Sequence, residues 1–221
     1  LEEVRHPFSA AMATYYAANV YQFLREPAEV LRLCRMVMEV SDREGFVFHS
    51  GIARILAGWA QACLGDDAGF PAAVRAVAEW EATGVAPVQT YCSLLLAEAA
   101  LRTRRMEEGA AAIEHGLALS RRTGEGAWRA ELLRLKGELA LTEGEEPAGA
   151  EHCFQRALTW AGDHGARSQE LRAATSLSRL WLRQKRKDAA RDLMQRVYGT
   201  FTEGFQTVDL REAAALLARI G

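Results

Sequence analysis

Apolar residues recur every three or four positions along almost the whole chain, which is the spacing of one face of an α-helix. The final segment illustrates the pattern, because Leu210, Ala213, Ala214, Leu217 and Ile220 fall on one helical face. Sustained alternation of polar and apolar residues, which marks a half-buried strand, is nearly absent. We therefore predict an all-α protein with helices over 8–24, 28–44, 48–64, 69–82, 87–103, 107–122, 127–143, 148–163, 167–184, 187–203 and 208–220.

Short turns that contain glycine recur at a nearly constant interval. Their glycines are separated by 39, 40, 41 and 39 residues: Gly45, Gly84, Gly124, Gly165 and Gly204. Glycine is favoured after the last turn of a helix, because the backbone often becomes left-handed there. A fixed period of this length is typical of proteins built from repeated helical units.

A second, weaker break lies inside each period, so each period is predicted to contain two helices. The breaks fall at 25–27, 65–67, 104–106, 145–147 and 185–187. Pro27 and Pro147 suit the first turn of a new helix, where the amide hydrogen that proline lacks would have no helical partner.

Small residues occupy the middle of each first helix, again with a period near 40: Ala18, Gly58, Ala97, Gly137 and Ser178. A second helix is expected to approach closely at these points, since a larger side chain would hold the two backbones apart. Gly109 and Gly116 form a matching small pair on one of the second helices. Four large aromatic residues are predicted to fill space between the layers: Trp80, Trp128, Trp160 and Trp181.

The architecture that satisfies these registers is a right-handed superhelical solenoid of five antiparallel helix pairs, in which each pair buries its apolar face against its neighbours. The pairs span about 8–46, 47–84, 85–124, 125–165 and 166–205, and a capping helix follows at 207–220. We expect a single domain over 8–221, preceded by a linker at 1–7.

The repeats resemble tetratricopeptide repeats, although their period is longer than the usual 34 residues. The carboxy-terminal third carries a more specific resemblance in the segments ELRAATSLSRLW at 170–181, VYG at 197–199 and FTEGF at 201–205. These resemble the repeat region at the carboxy terminus of bacterial class III adenylate or guanylate cyclase-like proteins, in which a cyclase domain and an ATPase domain come first. The strong match covers 167–220 and a looser one covers 132–139. Lys185 departs from the family pattern, which usually turns through glycine there.

The resemblance implies a regulatory or assembly module whose cyclase and nucleotide-binding motifs would lie upstream of Leu1. The absence of an initiator methionine agrees with a piece of a longer protein. The expected partners are a protein or peptide, upstream domains of the same chain, or another copy of the chain. The alternative function is a small-ligand sensor similar to the superhelical domain of the maltose-type transcription activators.

Composition narrows the function classes. Hydrophobic residues make up 49% of the 221 residues, charged residues 25%, and the formal net charge is -2. Attraction to nucleic acid or to an anionic membrane is therefore not expected, and no apolar run approaches the roughly 18 to 20 residues of a membrane span. We expect a cytoplasmic protein whose four cysteines are free, buried thiols.

Catalytic and cofactor motifs are missing from the sequence. No Gly-x-x-x-x-Gly-Lys-Ser/Thr string is present to cradle phosphates, and none of the five histidines has a partner one helical turn away with a glutamate between them. We therefore expect no cofactor, no metal and no enzymatic activity.

The inner surface of the predicted solenoid supplies the candidate binding residues. Counting from the small residues along the first helices gives Tyr15, Asn19, Trp59, Glu98, Arg102, Arg134, Glu138, Arg179 and Arg183. The four arginines among them could hold a carboxylate-bearing peptide, because guanidinium groups bind carboxylates in a bidentate fork. The alternative is a solvated face on which glutamates and arginines pair with one another.

Overall fold

A computed structural model describes residues 6–84, 88–144 and 146–221 of the chain and confirms the all-α prediction, since this part contains helices and no strand. In chain order the helices are α1 (Pro7–Phe23), α2 (Pro27–Glu44), α3 (Val47–Cys63), α4 (Gly69–Ala82), α5 (Gln89–Arg102), α6 (Met106–Thr123), α7 (Arg129–Thr142), α8 (Pro147–Asp163), α9 (Arg167–Arg183), α10 (Lys187–Tyr198) and α11 (Val208–Ile220).

The largest difference from the predicted helices lies at the end of α10. The helix was expected to continue to residue 203, but it ends at Tyr198 with Gly199 as its C-cap. Thr200 and Phe201 then donate their backbone N–H groups to carbonyls three residues earlier, which turns the chain out of the helix. The predicted linker at 1–7 and the predicted start of α5 at 87 lie partly outside the described residues.

The five periodic glycines all adopt left-handed backbone conformations, with φ between 65° and 77°, as the turn pattern predicts. The weaker breaks also turn through a left-handed residue. At three of them that residue is not glycine, with φ values of 62°, 58° and 62° at Arg25, Arg104 and Lys185. Every period is therefore divided by the same kind of backbone reversal.

The chain divides into two compact units, between Ala112 and Ile113. In the first unit α1 to α5 pack in chain order, and the odd-numbered helices α1, α3 and α5 also contact one another side by side. In the second unit α7 to α11 pack in chain order, and α7, α9 and α11 again contact one another. Consecutive packed helix pairs are thus present in both units.

The small residues predicted at the helix contacts lie at points of close approach. A Cβ atom on Gly58 would lie 2.6 Å from the backbone nitrogen of Ala73 in α4, and one on Gly137 would lie 2.5 Å from Cε1 of Phe154 in α8. Ser178 is completely buried, and its hydroxyl donates to the carbonyl of Ala190 in α10. Each of these first helices therefore meets its following helix at the predicted position.

The capping helix α11 packs on α9 and α10 and closes the apolar core of the second unit. Its buried residues are Leu210, Ala213, Leu216 and Ile220. None of the four cysteines is joined in a disulfide, as predicted, and all but the half-buried Cys63 are buried. Burial raises the pKa of the Cys34 thiol to about 12, so this group remains protonated at neutral pH. Over the residues described here, no helix has the length and apolar character needed to cross a membrane.

Candidate functional site

Tyr15 and Asn19, predicted on the inner face, are largely buried in α1. The Asn19 side-chain amide donates one hydrogen bond to the Tyr15 carbonyl over 2.9 Å, one turn away in the same helix. Burial raises the pKa of the Tyr15 phenol. Neither side chain offers much surface to a partner.

Trp59 and Glu98 form a direct contact between α3 and α5. The indole Nε1–H of Trp59 donates to Oε2 of Glu98 over 2.7 Å. The Tyr91 hydroxyl makes a similar link from α5 to α1, donating to Oε1 of Gln22 over 3.0 Å. The predicted binding residues Trp59 and Glu98 therefore join two odd-numbered helices of the first unit. Arg102 is exposed at the end of α5.

A buried carboxylate organises the matching face of the second unit. Glu131 on α7 is only 2% exposed and accepts from Arg134, one turn further along the helix. A guanidinium nitrogen of Arg172 on α9 lies 3.7 Å from the same carboxylate oxygen. Arg172 in turn donates from Nε to Oδ2 of Asp209 on α11 over 2.7 Å. Charged contacts thus run across three helices, and the sequence pattern missed Glu131, Arg172 and Asp209.

Two further contacts engage predicted residues of the second unit. Glu138 accepts a hydrogen bond from the Ser176 hydroxyl, and Arg179 donates to Oε2 of Glu212 over 2.9 Å. Arg134 and Arg179 therefore already face carboxylates of their own unit. At these two positions this favours pairing between glutamates and arginines over the binding of a carboxylate-bearing peptide. Arg183 is exposed in the last turn of α9.

One side of α1 presents an exposed apolar face that the sequence pattern did not single out. Its large apolar residues are between 38% and 61% exposed and follow helical spacing: Phe8, Met12, Tyr16, Val20 and Phe23. No aspartate, glutamate, lysine or arginine occurs in Pro7–Phe23. Since exposed helices of globular proteins normally carry charged residues on the solvent side, this face is unusual.

The repeat period identifies the residues of the other first helices that are equivalent to this face of α1. Counting from the small residue of each first helix, the equivalents of Tyr16 are all buried: Leu56, Leu95, Leu135 and Ser176. The equivalents of Val20 are buried as well: Ala60, Ala99, Leu139 and Leu180. Only in α1 are these positions exposed.

In α3 this face is covered by the preceding helix pair. The side of α3 that carries Gly58 packs against α4. Trp59, which lies about 100° further round the helix, contacts α5. Leu56 lies on the side opposite Gly58, and the remaining neighbours of α3 are α1 and α2. The exposed face of α1 is therefore the face that a preceding helix pair covers in the next repeat.

Searches for a metal site and for known relatives identified no further candidate residues. Within the described ranges, no three histidine, cysteine, aspartate or glutamate side chains lie close enough together to hold a metal ion. Neither a family model nor a curated protein sequence matches this chain.

Proposed function

We propose that this chain is a non-catalytic protein-interaction and regulatory module, the carboxy-terminal repeat region of a multidomain bacterial signalling protein of the cyclase and ATPase type. The observation that carries the interaction role is the uncharged, exposed face of α1, whose equivalents are buried in the other repeats. The link to a signalling protein rests on the sequence resemblance of 167–220. Contact between this module and upstream domains would regulate their activity in the cytoplasm.

The partner that fits the face of α1 is a helix pair with an apolar, uncharged surface. Burying a half-exposed large apolar side chain contributes about 1 kcal/mol, so several of them can support an interface. A charged partner surface would lose its hydration without gaining an ion pair, because α1 has no charged residue. The repeat register points to the same partner, since a helix pair covers the equivalent face of α3.

A right-handed superhelical solenoid of tetratricopeptide type is the finer architecture that we propose. The periodic glycine turns and the side-by-side contacts of the odd-numbered helices in each unit support it. In this arrangement the first helices line the inner surface. Arg102 in the first unit and Arg183 in the second are both exposed, and each would contact a carboxylate of a peptide bound to its own unit.

Self-association provides the test, because α1 itself presents the kind of surface that we propose as partner. Only a few side chains would be buried, so we expect a dissociation constant on the order of 10 µM. Sedimentation velocity over a range of concentrations should show reversible dimers of the wild-type chain. Met12→Glu, which places a charge in the face, should leave only monomers.

Met36→Glu on α2 is the matched control, since Met36 and Met12 are both 38% exposed. It should dimerise like the wild type. A wild-type chain that stays monomeric well above the predicted dissociation constant would contradict the proposal, and so would equal loss of dimers in both variants.

A further inference from the structure

A pocket of about 420 Å³ lies in the first unit, between α1 and the start of α3. This volume is in the range of small-molecule sites, which are lined mainly by apolar and aromatic side chains. Met12, Val47 and His49 form part of the lining. The other described lining residues are all aromatic: Phe8, Tyr15, Tyr16, Phe46 and Phe48.

The side chains at the rim of this pocket are accessible to a ligand. They are between 38% and 62% exposed: Phe8, Met12, Tyr16 and Val47. Tyr15 and His49 are only 8% and 6% exposed and form the base. A ligand can therefore enter between accessible side chains and contact buried ones below them.

The rings of the pocket pack edge to face. Phe8 lies at 84° to Phe46 and at 90° to His49, with ring centres 5.4 and 5.1 Å apart. Phe48 lies at 84° to His49 and at 85° to Tyr15, with ring centres 5.4 and 6.4 Å apart. Aromatic rings favour this geometry, because the positive edge of one ring meets the negative face of another. A further planar ring can therefore pair with either an edge or a face of these side chains.

Charged ligands gain less from this pocket. None of its described lining residues is an aspartate, glutamate, lysine or arginine. Burial lowers the pKa of His49, so its imidazole is uncharged at neutral pH. An anion would lose its hydration without gaining an ion pair. A cation is attracted to ring faces but repelled by ring edges, and no carboxylate of the described lining offsets its charge.

We propose that this pocket binds an uncharged small molecule with a planar aromatic ring system. The ring system lies between α1 and the first turn of α3, where it pairs with the phenylalanine and tyrosine rings. The sulfur of Met12 also favours an aromatic neighbour. Phe8, Met12 and Tyr16 belong to the exposed face of α1 as well, but the pocket does not depend on the docking function proposed above.

Carbon NMR of protein labelled at the methionine methyl groups tests the proposal, with 2-naphthol as the probe. The Met12 methyl resonance, assigned by its loss in Met12→Leu, should move and saturate as 2-naphthol is added, because the ring current of a bound aromatic molecule shifts nearby nuclei. Met36 on α2 is the internal reference, since it is also 38% exposed and lies outside the described lining. An unmoved Met12 resonance up to the solubility limit of 2-naphthol would overturn the proposal.

Decahydro-2-naphthol separates aromatic recognition from hydrophobic burial. It has the same carbon skeleton and hydroxyl group but no aromatic ring. It should bind at least about threefold more weakly than 2-naphthol, measured by reversal of the Met12 shift, because it loses the edge-to-face contacts. Equal or tighter binding of the saturated molecule would overturn the proposal, and so would displacement of 2-naphthol by tetraethylammonium.

Val47→Glu places a charge at the rim and should weaken 2-naphthol binding about tenfold. Val47 is the first residue of α3, where an acidic side chain stabilises a helix, so the variant should fold. Val74→Glu on α4 is the matched control, because Val74 is 40% exposed and lies outside the described lining. It should bind as the wild type does. Unchanged affinity in Val47→Glu would overturn the proposal, and if this variant does not fold, the two naphthols decide the question.

Val20→Glu distinguishes this site from the docking surface. Val20 belongs to the exposed face of α1 but not to the described lining of the pocket. The variant should remain monomeric and still bind 2-naphthol. Loss of 2-naphthol binding in a folded Val20→Glu variant would overturn the pocket proposal, whereas a wild-type chain that never dimerises would contradict only the docking proposal.

Discussion

Three turns of the chain place an arginine or lysine where the backbone is left-handed: Arg25, Arg104 and Lys185. This conformation brings Cβ too close to the following carbonyl oxygen and costs roughly 1–2 kcal/mol for residues other than glycine. At the equivalent breaks Gly65 and Gly144 avoid this cost.

Lys185→Gly should therefore raise the free energy of unfolding by about 1 kcal/mol, because glycine adopts the φ of 62° without a steric penalty. Urea unfolding measures the change. Gln184→Gly is the control, since Gln184 has a φ of -84° and glycine there should lower stability by up to about 1 kcal/mol. Equal changes in the two variants would show that left-handed strain is not the cause.

At the residue scale the sequence predicted burial better than pairing. The free thiols and the small contact residues follow from local composition and helical spacing, which are visible in one sequence. The carboxylates that face Arg134 and Arg179 differ in how easily they can be predicted from the sequence. Glu131 shares a helix with Arg134, whereas Glu212 reaches Arg179 from another helix, which only the packing of α11 on α9 determines.

At the scale of single helices, glycine has two opposite roles that the sequence does not distinguish. Gly58 and Gly137 lie inside helices where another helix approaches, whereas Gly199 caps α10. The apolar pattern continues past Gly199 to Phe201, which is why the predicted helix runs to residue 203. The other helix limits follow closely from the periodic turns, because a left-handed residue ends a helix locally.

Gly58→Ala should lower the free energy of unfolding by about 2–3 kcal/mol. The new Cβ would lie 2.6 Å from the Ala73 nitrogen and 2.8 Å from the Gly69 carbonyl oxygen, and backbone atoms cannot move away easily. Gly109→Ala is the matched control in α6. Its Cβ would lie 3.5 Å from the nearest atom, the Ala100 Cβ, so the better helix propensity of alanine should raise stability by up to about 1 kcal/mol. Thermal and urea unfolding compare the two, and a tolerated Gly58→Ala would refute the close contact.

At the scale of the whole molecule, the repeat period identifies equivalent positions in successive helix pairs. It does not show which residues surround each of those positions. The register placed Tyr15 and Asn19 on a binding surface, yet the structure buries them and exposes Tyr16 and Val20 beside them. An apolar helix without charges looks like a core helix in the sequence. Its exposure depends on which of the described helices pack beside it, and the pattern of residues within the helix cannot reveal this.

The surroundings of Trp80 could not be predicted from the sequence for a related reason. The pattern indicated only that Trp80 fills space between layers, and the structure confirms that it is buried. Whether its indole N–H finds an acceptor depends on atoms contributed by three helices, and spacing along one helix does not determine this.

The exposed face of α1 as a docking surface is the central claim, and hydrogen–deuterium exchange at increasing protein concentration tests it most directly. Above the predicted dissociation constant, exchange should slow in peptides from Pro7–Phe23 and remain unchanged in peptides from Val208–Ile220. Protection that is confined to other helices, or exchange in α1 that does not depend on concentration, would contradict the claim.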